Sequence, residues 1–166
     1  MSVQQKKSSL STSSRKKIDA WLEKYPPDRR RSAILAALRI AQQQNGGWLS
    51  NDLLNDVAAY LEVPEIWIYE AANFYSLFHL QPVGRHTISI CDNISCMLCG
   101  ADAIIEHVQE RLGIALGETT RDGRITLVKE EECLAACVRA PMMVVDGHYH
   151  EKLTTERVDQ ILDSLE

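Results

Sequence analysis

Long hydrophobic runs are absent from this sequence of 166 residues. No apolar stretch approaches the roughly 20 residues that a membrane-spanning helix needs. The N-terminus also lacks the basic-then-apolar pattern of a secretory signal. These absences predict a soluble, intracellular chain with no direct membrane insertion, which reaches a membrane only through partners.

Basic residues are scarce after the first 17 positions. Residues 1–17 contain five of the 18 Lys and Arg residues and no acid. The rest of the chain therefore has 13 basic residues and 23 Asp and Glu residues. An acidic body excludes a nucleic-acid-binding surface, which needs clustered Lys and Arg against phosphates. The serine-rich basic segment 1–17 predicts a flexible tail rather than an organellar transit peptide, because it forms no amphipathic helix.

Helical periodicity occupies residues 18–82 and predicts a small helical bundle. A short helix is expected from Ile18 to Lys24 and a second from Arg31 to Gln44, where apolar residues recur on one face. Ser50 is a suitable N-cap for a third helix. Pro64 opens a fourth, which is expected to run to about Phe78.

An apolar, aromatic stretch closes this bundle. It comprises Ile66-Trp67-Ile68-Tyr69 and Asn73-Phe74-Tyr75-Ser76-Leu77-Phe78. Such a stretch fits a core, but it equally fits a surface that docks a partner, because contiguous exposed apolar patches mark interfaces. Periodicity leaves both interpretations open.

The spacing of apolar residues changes in residues 83–166, where alternation typical of strands also occurs. His86 to Cys91 alternates as a half-buried strand does, and apolar residues from Leu98 to Leu112 then recur at helical spacing. A second strand is expected from Arg124 to Lys129, followed by a hairpin around Asp146-Gly147. Thr154 is expected to cap a final helix. The order predicts a sheet covered by helices.

Five cysteines form the most informative pattern. Two pairs, Cys91-x4-Cys96 and Cys133-x3-Cys137, begin where a predicted strand ends and run into a loop. Four thiolates from two neighbouring loops suit zinc, a [2Fe-2S] cluster or a [4Fe-4S] cluster. Both pairs are wider than the two-residue spacing of zinc ribbons. The spacing favours [2Fe-2S] over zinc and leaves the other possibilities open.

Cys99 allows two further interpretations. Cys91, Cys96 and Cys99 match the spacing of plant-type ferredoxins, and Cys96-Met97-Leu98-Cys99 could form a thioredoxin-type dithiol. The first leaves no role for the pair Cys133 and Cys137, and the second leaves three cysteines unexplained. A buried free thiol is the expectation for Cys99 itself.

Longer motifs surround the cysteine pairs. Gly84-Arg85-His86 leads to Cys91-Asp92-Asn93-Ile94-Ser95-Cys96, and Asp122-Gly123-Arg124 leads to Glu132-Cys133-Leu134-Ala135-Ala136-Cys137 and Ala140-Pro141-Met142-Met143. The helical half adds Gly47-Trp48-Leu49, Val63-Pro64, Asn73-Phe74-Tyr75-Ser76 and Gln81-Pro82-Val83-Gly84. Over nearly everything after residue 17, the chain resembles the E-type subunit of bacterial NADH:quinone oxidoreductase (respiratory complex I). The same module recurs in NAD-reducing hydrogenases and NAD-dependent formate dehydrogenases.

The resemblance implies an α+β fold, in which an N-terminal helical bundle (18–82) is followed by a thioredoxin-like [2Fe-2S] ferredoxin domain (83–166). It places the ligands of one [2Fe-2S] cluster at Cys91, Cys96, Cys133 and Cys137 and gives Cys99 no ligand role. It also implies a partner subunit that carries flavin (FMN) and oxidises NADH, beside other subunits of the peripheral arm. The chain would then act in the cytoplasm, on the peripheral arm of an inner-membrane complex.

The remaining residues suggest no catalytic site of the chain's own. No G-x-G-x-x-G follows a strand, and no phosphate-binding loop is present, so a nucleotide site is not expected. His148 and His150 are expected to face solvent on an edge strand. A stand-alone thiol oxidoreductase or a zinc-binding module stays open as the competing class of function.

Local charge predicts the cluster's redox behaviour. Asp92 and Glu130-Glu131-Glu132 would disfavour added negative charge, whereas Arg139 and Lys129 would favour it. Because the acids outnumber the bases, we expect a potential close to that of the flavin or below it.

Overall fold

The computed structural model describes residues 10–128 and 133–166. The chain divides into two compact units, Met1–Pro82 and Val83–Glu166. In the part of the chain that the structure describes, no helix combines the length and apolar character needed to cross a bilayer.

Over residues 10–82, the first unit is a bundle of four α-helices and one 3₁₀ helix. In chain order these are α1 (Thr12–Leu22), the 3₁₀ helix Pro27–Ala33, α2 (Ile34–Gln44), α3 (Asn51–Leu61) and α4 (Glu65–Phe74). Its core consists of apolar side chains that are almost completely buried, among them Ile18, Leu38, Leu49, Leu53, Leu54, Leu61 and Ile68. The apolar faces that the periodicity indicates therefore meet in one core.

Helix α1 begins earlier than the sequence predicts. The Ser11 hydroxyl accepts a hydrogen bond from the Ser14 N–H at 3.1 Å, so it caps a helix that starts at Thr12. Residues 12–17 of the predicted tail are thus helical, and Ser14 is buried. The sequence concealed this because a serine face carries no apolar periodicity. Residues 1–9 of the predicted tail lie outside the described residues.

Two other helix boundaries also differ from prediction. The helix expected from Arg31 begins as an α-helix only at Ile34, because residues 31–33 belong to the 3₁₀ helix Pro27–Ala33. Helix α4 ends at Phe74 rather than near Phe78. The predicted cap at Ser50 is confirmed, since its hydroxyl accepts from the Leu53 N–H at 3.3 Å.

In residues 83–128 and 133–166, the second unit is a four-stranded sheet with helices. Its elements are β1 (His86–Ile90), α5 (Ile94–Leu98), α6 (Ala101–Leu112), β2 (Ile125–Leu127), the 3₁₀ helix Cys137–Arg139, β3 (Met143–Val145), β4 (His148–His150) and α7 (Thr155–Ser164). The strand order is β2-β1-β3-β4. Strand β1 pairs with β2 in parallel and with β3 antiparallel, and β3 and β4 form the predicted hairpin.

The sheet buries one set of alternating side chains. Ile88, Ile125 and Leu127 are fully buried, and they pack with Val108 of α6 and Val158 of α7. Thr154 caps α7 as predicted, accepting from the Arg157 N–H at 3.3 Å. The central strand β1 is therefore held on both edges, and its end is a rigid place from which to present a side chain.

Candidate metal centre

The first cysteine pair follows the central strand β1. Cys91 comes directly after the strand, and its N–H donates to the Met142 carbonyl at 3.1 Å. The short helix α5 then turns Cys96 inward, its first turn closed by the Met97 N–H donating to the Asn93 carbonyl at 2.9 Å. Both thiols are buried, each residue being 2% exposed.

The second pair lies in the loop that precedes β3. Cys137 begins the 3₁₀ helix, and its Sγ is 3.5 Å from the Sγ of Cys133. Between them Ala135 adopts a positive φ of 57°, which reverses the chain so that the two thiols face each other. Both cysteines are exposed.

The structure brings the two pairs together. Cys91 is near enough to Cys96 and to Cys133 to shift the pKa of both thiols, and Cys137 is near enough to Cys96 to raise the pKa of that thiol. Across residues 10–128 and 133–166, no three His, Cys, Asp or Glu side chains are grouped so that they could hold a single metal ion. The thiols are arranged two by two, from two loops.

The pKa values of the buried Cys96 thiol and the exposed Cys133 thiol are shifted in opposite directions. Burial raises the pKa of the Cys96 thiol to about 11, and the neighbouring Cys91 adds to this. The pKa of Cys133 is lowered, first by a hydrogen bond from the backbone of Ala135 and then by its contact with Cys137. A buried thiolate needs a cation beside it, and a bound metal supplies that charge.

The donor set and its surroundings fit an iron–sulfur cluster. Four thiols are the ligands that soft-metal and iron–sulfur sites use. Their inner side is apolar, because Cys91 and Cys96 pack with Ala101 and Met142, and Leu134, Ala136 and Ala140 lie against this group. The outer side is open at Cys133 and Cys137.

Cys99 is exposed, which makes the prediction of a buried thiol wrong. The predicted helical face from Leu98 to Ala101 is interrupted, because Gly100 has a positive φ of 91° and separates α5 from α6. Leu98 is consequently 78% exposed. The Cys99 N–H closes α5 by donating to the Ser95 and Cys96 carbonyls.

Part of the predicted charge environment is described. Arg139 forms an ion pair with Glu151 at 2.6 Å, so its positive charge is compensated beside the second pair. Asp92 is exposed next to Cys91. Lys129 and Glu130-Glu131-Glu132 lie outside the described residues.

The histidines contribute contacts that the sequence analysis missed. His148 is exposed as predicted, whereas His150 is half-buried. His86 bonds Asp146, and His107 bonds Asp159 at 2.9 Å. These pairs join residues more than 50 positions apart, so no local pattern could reveal them.

Nearly the whole chain matches a known protein family. The family model described as thioredoxin-like [2Fe-2S] ferredoxin matches residues 18–166. The chain belongs to this family, and the predicted fold class and the predicted [2Fe-2S] cofactor are thereby confirmed.

Relatives of this chain indicate which type of protein within the family it is most similar to. The chain is 48% identical over 150 residues to the second E-type subunit of the NADH-quinone oxidoreductase of Rhizobium meliloti (strain 1021), covering 90% of this chain and 87% of the relative. It is 45% identical over 144 residues to the E-type subunit of the NADH-quinone oxidoreductase of Rickettsia bellii (strain RML369-C), covering 87% and 86%. The predicted resemblance to this type of subunit is confirmed.

A solved structure shares the fold. It is an NAD+-reducing [NiFe]-hydrogenase in its air-oxidised state, with a TM-score of 0.65 and 24% sequence identity. The match covers 78% of this chain and 22% of the hydrogenase chain. At this identity the likeness establishes the fold alone.

Proposed function

We propose that this chain is the electron-transfer subunit of an NADH:quinone oxidoreductase and that Cys91, Cys96, Cys133 and Cys137 hold its [2Fe-2S] cluster. The observation that carries the proposal is the convergence of two cysteine pairs from two loops in a chain of this family. The two relatives named as E-type subunits, matched over 86–87% of their length, favour this parent complex over a hydrogenase or formate dehydrogenase.

The four thiols have different tasks in this proposal. When bound, the cluster supplies a one-electron carrier for electrons that a hydride delivers in pairs. Cys91 and Cys96 anchor it at the apolar end of β1, where burial excludes water. Cys133 and Cys137 form its open side, the side from which a partner can exchange electrons.

Several exposed side chains next to the proposed ligands in sequence are apolar. Four exposed side chains, Ile94, Met97, Leu98 and Val138, lie within two residues of a proposed ligand, and we call them the apolar rim. Val138 is 93% exposed and Leu98 is 78% exposed. Large exposed apolar side chains grouped at one site mark protein contacts. We propose that the flavin-bearing, NADH-oxidising subunit docks here.

The remaining parts of the proposal follow from this placement. The chain contributes no catalytic site of its own and works as part of the oxidoreductase complex. Its place is the cytoplasmic peripheral arm, beside the flavin-bearing subunit and other subunits of that arm. FMN and NADH bind the partner.

A redox experiment tests the proposed exchange. The cluster-loaded chain, reduced with dithionite and freed of excess reductant, is mixed anaerobically with the flavin-bearing subunit of the same complex. We expect its visible absorbance to return as the partner's flavin is reduced, because the ion pair of Arg139 with Glu151 removes a positive charge that would otherwise raise the cluster's midpoint potential. A clearly positive midpoint in a redox titration, or no exchange with the partner, would contradict the proposal.

A further inference from the structure

The two residues that follow α7 are held by His86 of β1 and by two arginines, Arg85 and Arg124, which directly precede β1 and β2. The Glu166 carbonyl accepts from Arg85 Nε at 3.3 Å and lies 3.0 Å from His86 Nε2. The Leu165 carbonyl accepts from Arg124 at 3.0 Å. Because Leu165 packs against the core of the second unit, these contacts fix how the end of α7 lies on the sheet.

His86 makes two contacts that a neutral ring cannot both satisfy. Its Nδ1 is 2.6 Å from the Asp146 carboxylate, and its Nε2 faces the Glu166 carbonyl. Both partners are acceptors, and a neutral imidazole carries only one N–H. Donation to both oxygens therefore requires the imidazolium form.

Asp146 is fixed in place by the backbone of β1. Its carboxylate accepts from the Thr87 N–H at 2.9 Å, and its own N–H donates to the Thr87 carbonyl at 3.1 Å. It occupies the β3–β4 turn with a positive φ of 50°. His86 thus joins three elements at one end of the sheet: the start of β1, the hairpin turn and the end of α7.

We propose that His86 is a pH-sensitive latch, which holds the end of α7 against β1 as an imidazolium and loosens it when the ring loses a proton. The stronger bond to the Asp146 carboxylate keeps the remaining proton on Nδ1. The lone pair of Nε2 then faces the lone pairs of the Glu166 carbonyl, so an attraction becomes a repulsion. Arg124 still holds Leu165, and Arg85 still donates to Glu166 at the longer distance of 3.3 Å, so the change is a partial loosening at Glu166.

The surrounding charges favour the protonated ring. The pKa of His86 is raised, first by the hydrogen bond to Asp146, with the Glu166 carbonyl helping and Arg85 opposing. Arg124 at the start of β2 is paired with Asp122 at 3.7 Å, which offsets its charge. Because the folded pKa lies above the unfolded value, the latch contributes fully below that value and is lost as pH rises through the folded pKa.

The latch lies away from the proposed cluster. His86 begins β1 and Cys91 follows the other end of the strand, about 16 Å away at roughly 3.3 Å per residue. The latch can therefore be followed in the cluster-loaded chain while the visible spectrum reports that the cluster is intact.

Backbone order at Glu166 tests this proposal. In the ¹⁵N-labelled, oxidised, cluster-loaded chain, we expect the heteronuclear NOE of Glu166 to fall as the pH rises, with the same midpoint as the His86 ring titration and above the usual range of histidine. His86→Gln should abolish this dependence, because glutamine does not titrate. Asp146→Asn, which tolerates the positive φ, should lower the His86 midpoint.

His107→Gln is the matched control. His107 also bonds an aspartate, Asp159 of α7, but its ring does not bridge to residue 166. This variant should keep the native pH dependence at Glu166. Constant order at Glu166 across the pH range, or a pH dependence that persists in His86→Gln, would overturn the proposal.

Discussion

Replacing Cys96 with alanine is expected to leave the purified chain nearly free of iron and acid-labile sulfide. The thiol is buried beside Cys91, and no other cysteine takes its place at the inner end of the site. Removing even an indirect partner of a metal ligand costs about 10- to 100-fold in affinity, so loss of a ligand should cost at least as much. Iron and sulfide assays on matched protein concentrations measure the effect.

Cys99→Ala is the matched control for this loss. Cys99 is three residues away in the same segment, but it is exposed, so its replacement should leave iron, sulfide and visible absorbance at native levels. The separate core of the second unit should keep Cys96→Ala folded, which far-UV circular dichroism checks. If Cys99→Ala loses the cluster and Cys96→Ala retains it, the proposed ligand set is wrong.

A second large effect is expected at the apolar rim. Leu98→Gln combined with Val138→Ser should weaken binding to the flavin-bearing subunit by about a hundredfold or more, because each of the two aliphatic side chains contributes about 1.5–3 kcal/mol when fully buried and about 1.4 kcal/mol is a tenfold change in affinity. Neutral replacements leave the charge near the thiols unchanged. Titration calorimetry of the cluster-loaded chain against the partner measures the affinity.

Tyr149→Gln is the control for the rim variant. Tyr149 is also large and exposed, but it lies opposite Val144 on the edge strand β4 rather than beside a cysteine. Binding through the rim should be unchanged in this variant and nearly independent of salt, since apolar contacts are not screened. Native affinity in the Leu98/Val138 variant, with its cluster content intact, would exclude the rim as the docking surface.

The sequence predicts the elements of this fold better than their ends. Alternation identifies β1 and the hairpin because one face of the sheet is buried, and the hydroxyls of Ser50 and Thr154 mark two helix starts. The start of α1 is concealed because residues 12–17 include no apolar side chain, and the buried residue among them is Ser14. The pattern of apolar residues in the sequence does not indicate which residues are buried when the buried residue is polar.

The aromatic stretch contains both buried core residues and exposed residues, so each of the two interpretations fits part of it. Ile68 and Phe78 are buried in the core of the bundle, as the interpretation as a core requires. Phe74 and Leu77 are exposed, at 78% and 47%, as a contact surface requires. Helix α4 ends at Phe74, so the residues beyond it leave the helical period, and no pattern could assign their burial.

In the candidate metal centre, too, the sequence predicts some features and not others. Cysteine spacing predicts two pairs at strand ends, because strands deliver loops to one edge of a sheet. It cannot predict that Cys99 points outward, since this depends on the break at Gly100. It also cannot predict that Val138 is exposed beside Cys137, because the 3₁₀ helix there is three residues long.

Electron paramagnetic resonance of the purified, dithionite-reduced chain tests the central claim most directly, with iron and acid-labile sulfide assayed on the same sample. The account predicts a spin-half signal from a binuclear cluster, with two iron and two sulfide per chain. The signal should be absent in Cys96→Ala and unchanged in Cys99→Ala. A colourless, iron-free chain that retains zinc, or one that titrates as a reversible Cys96–Cys99 dithiol, would contradict it.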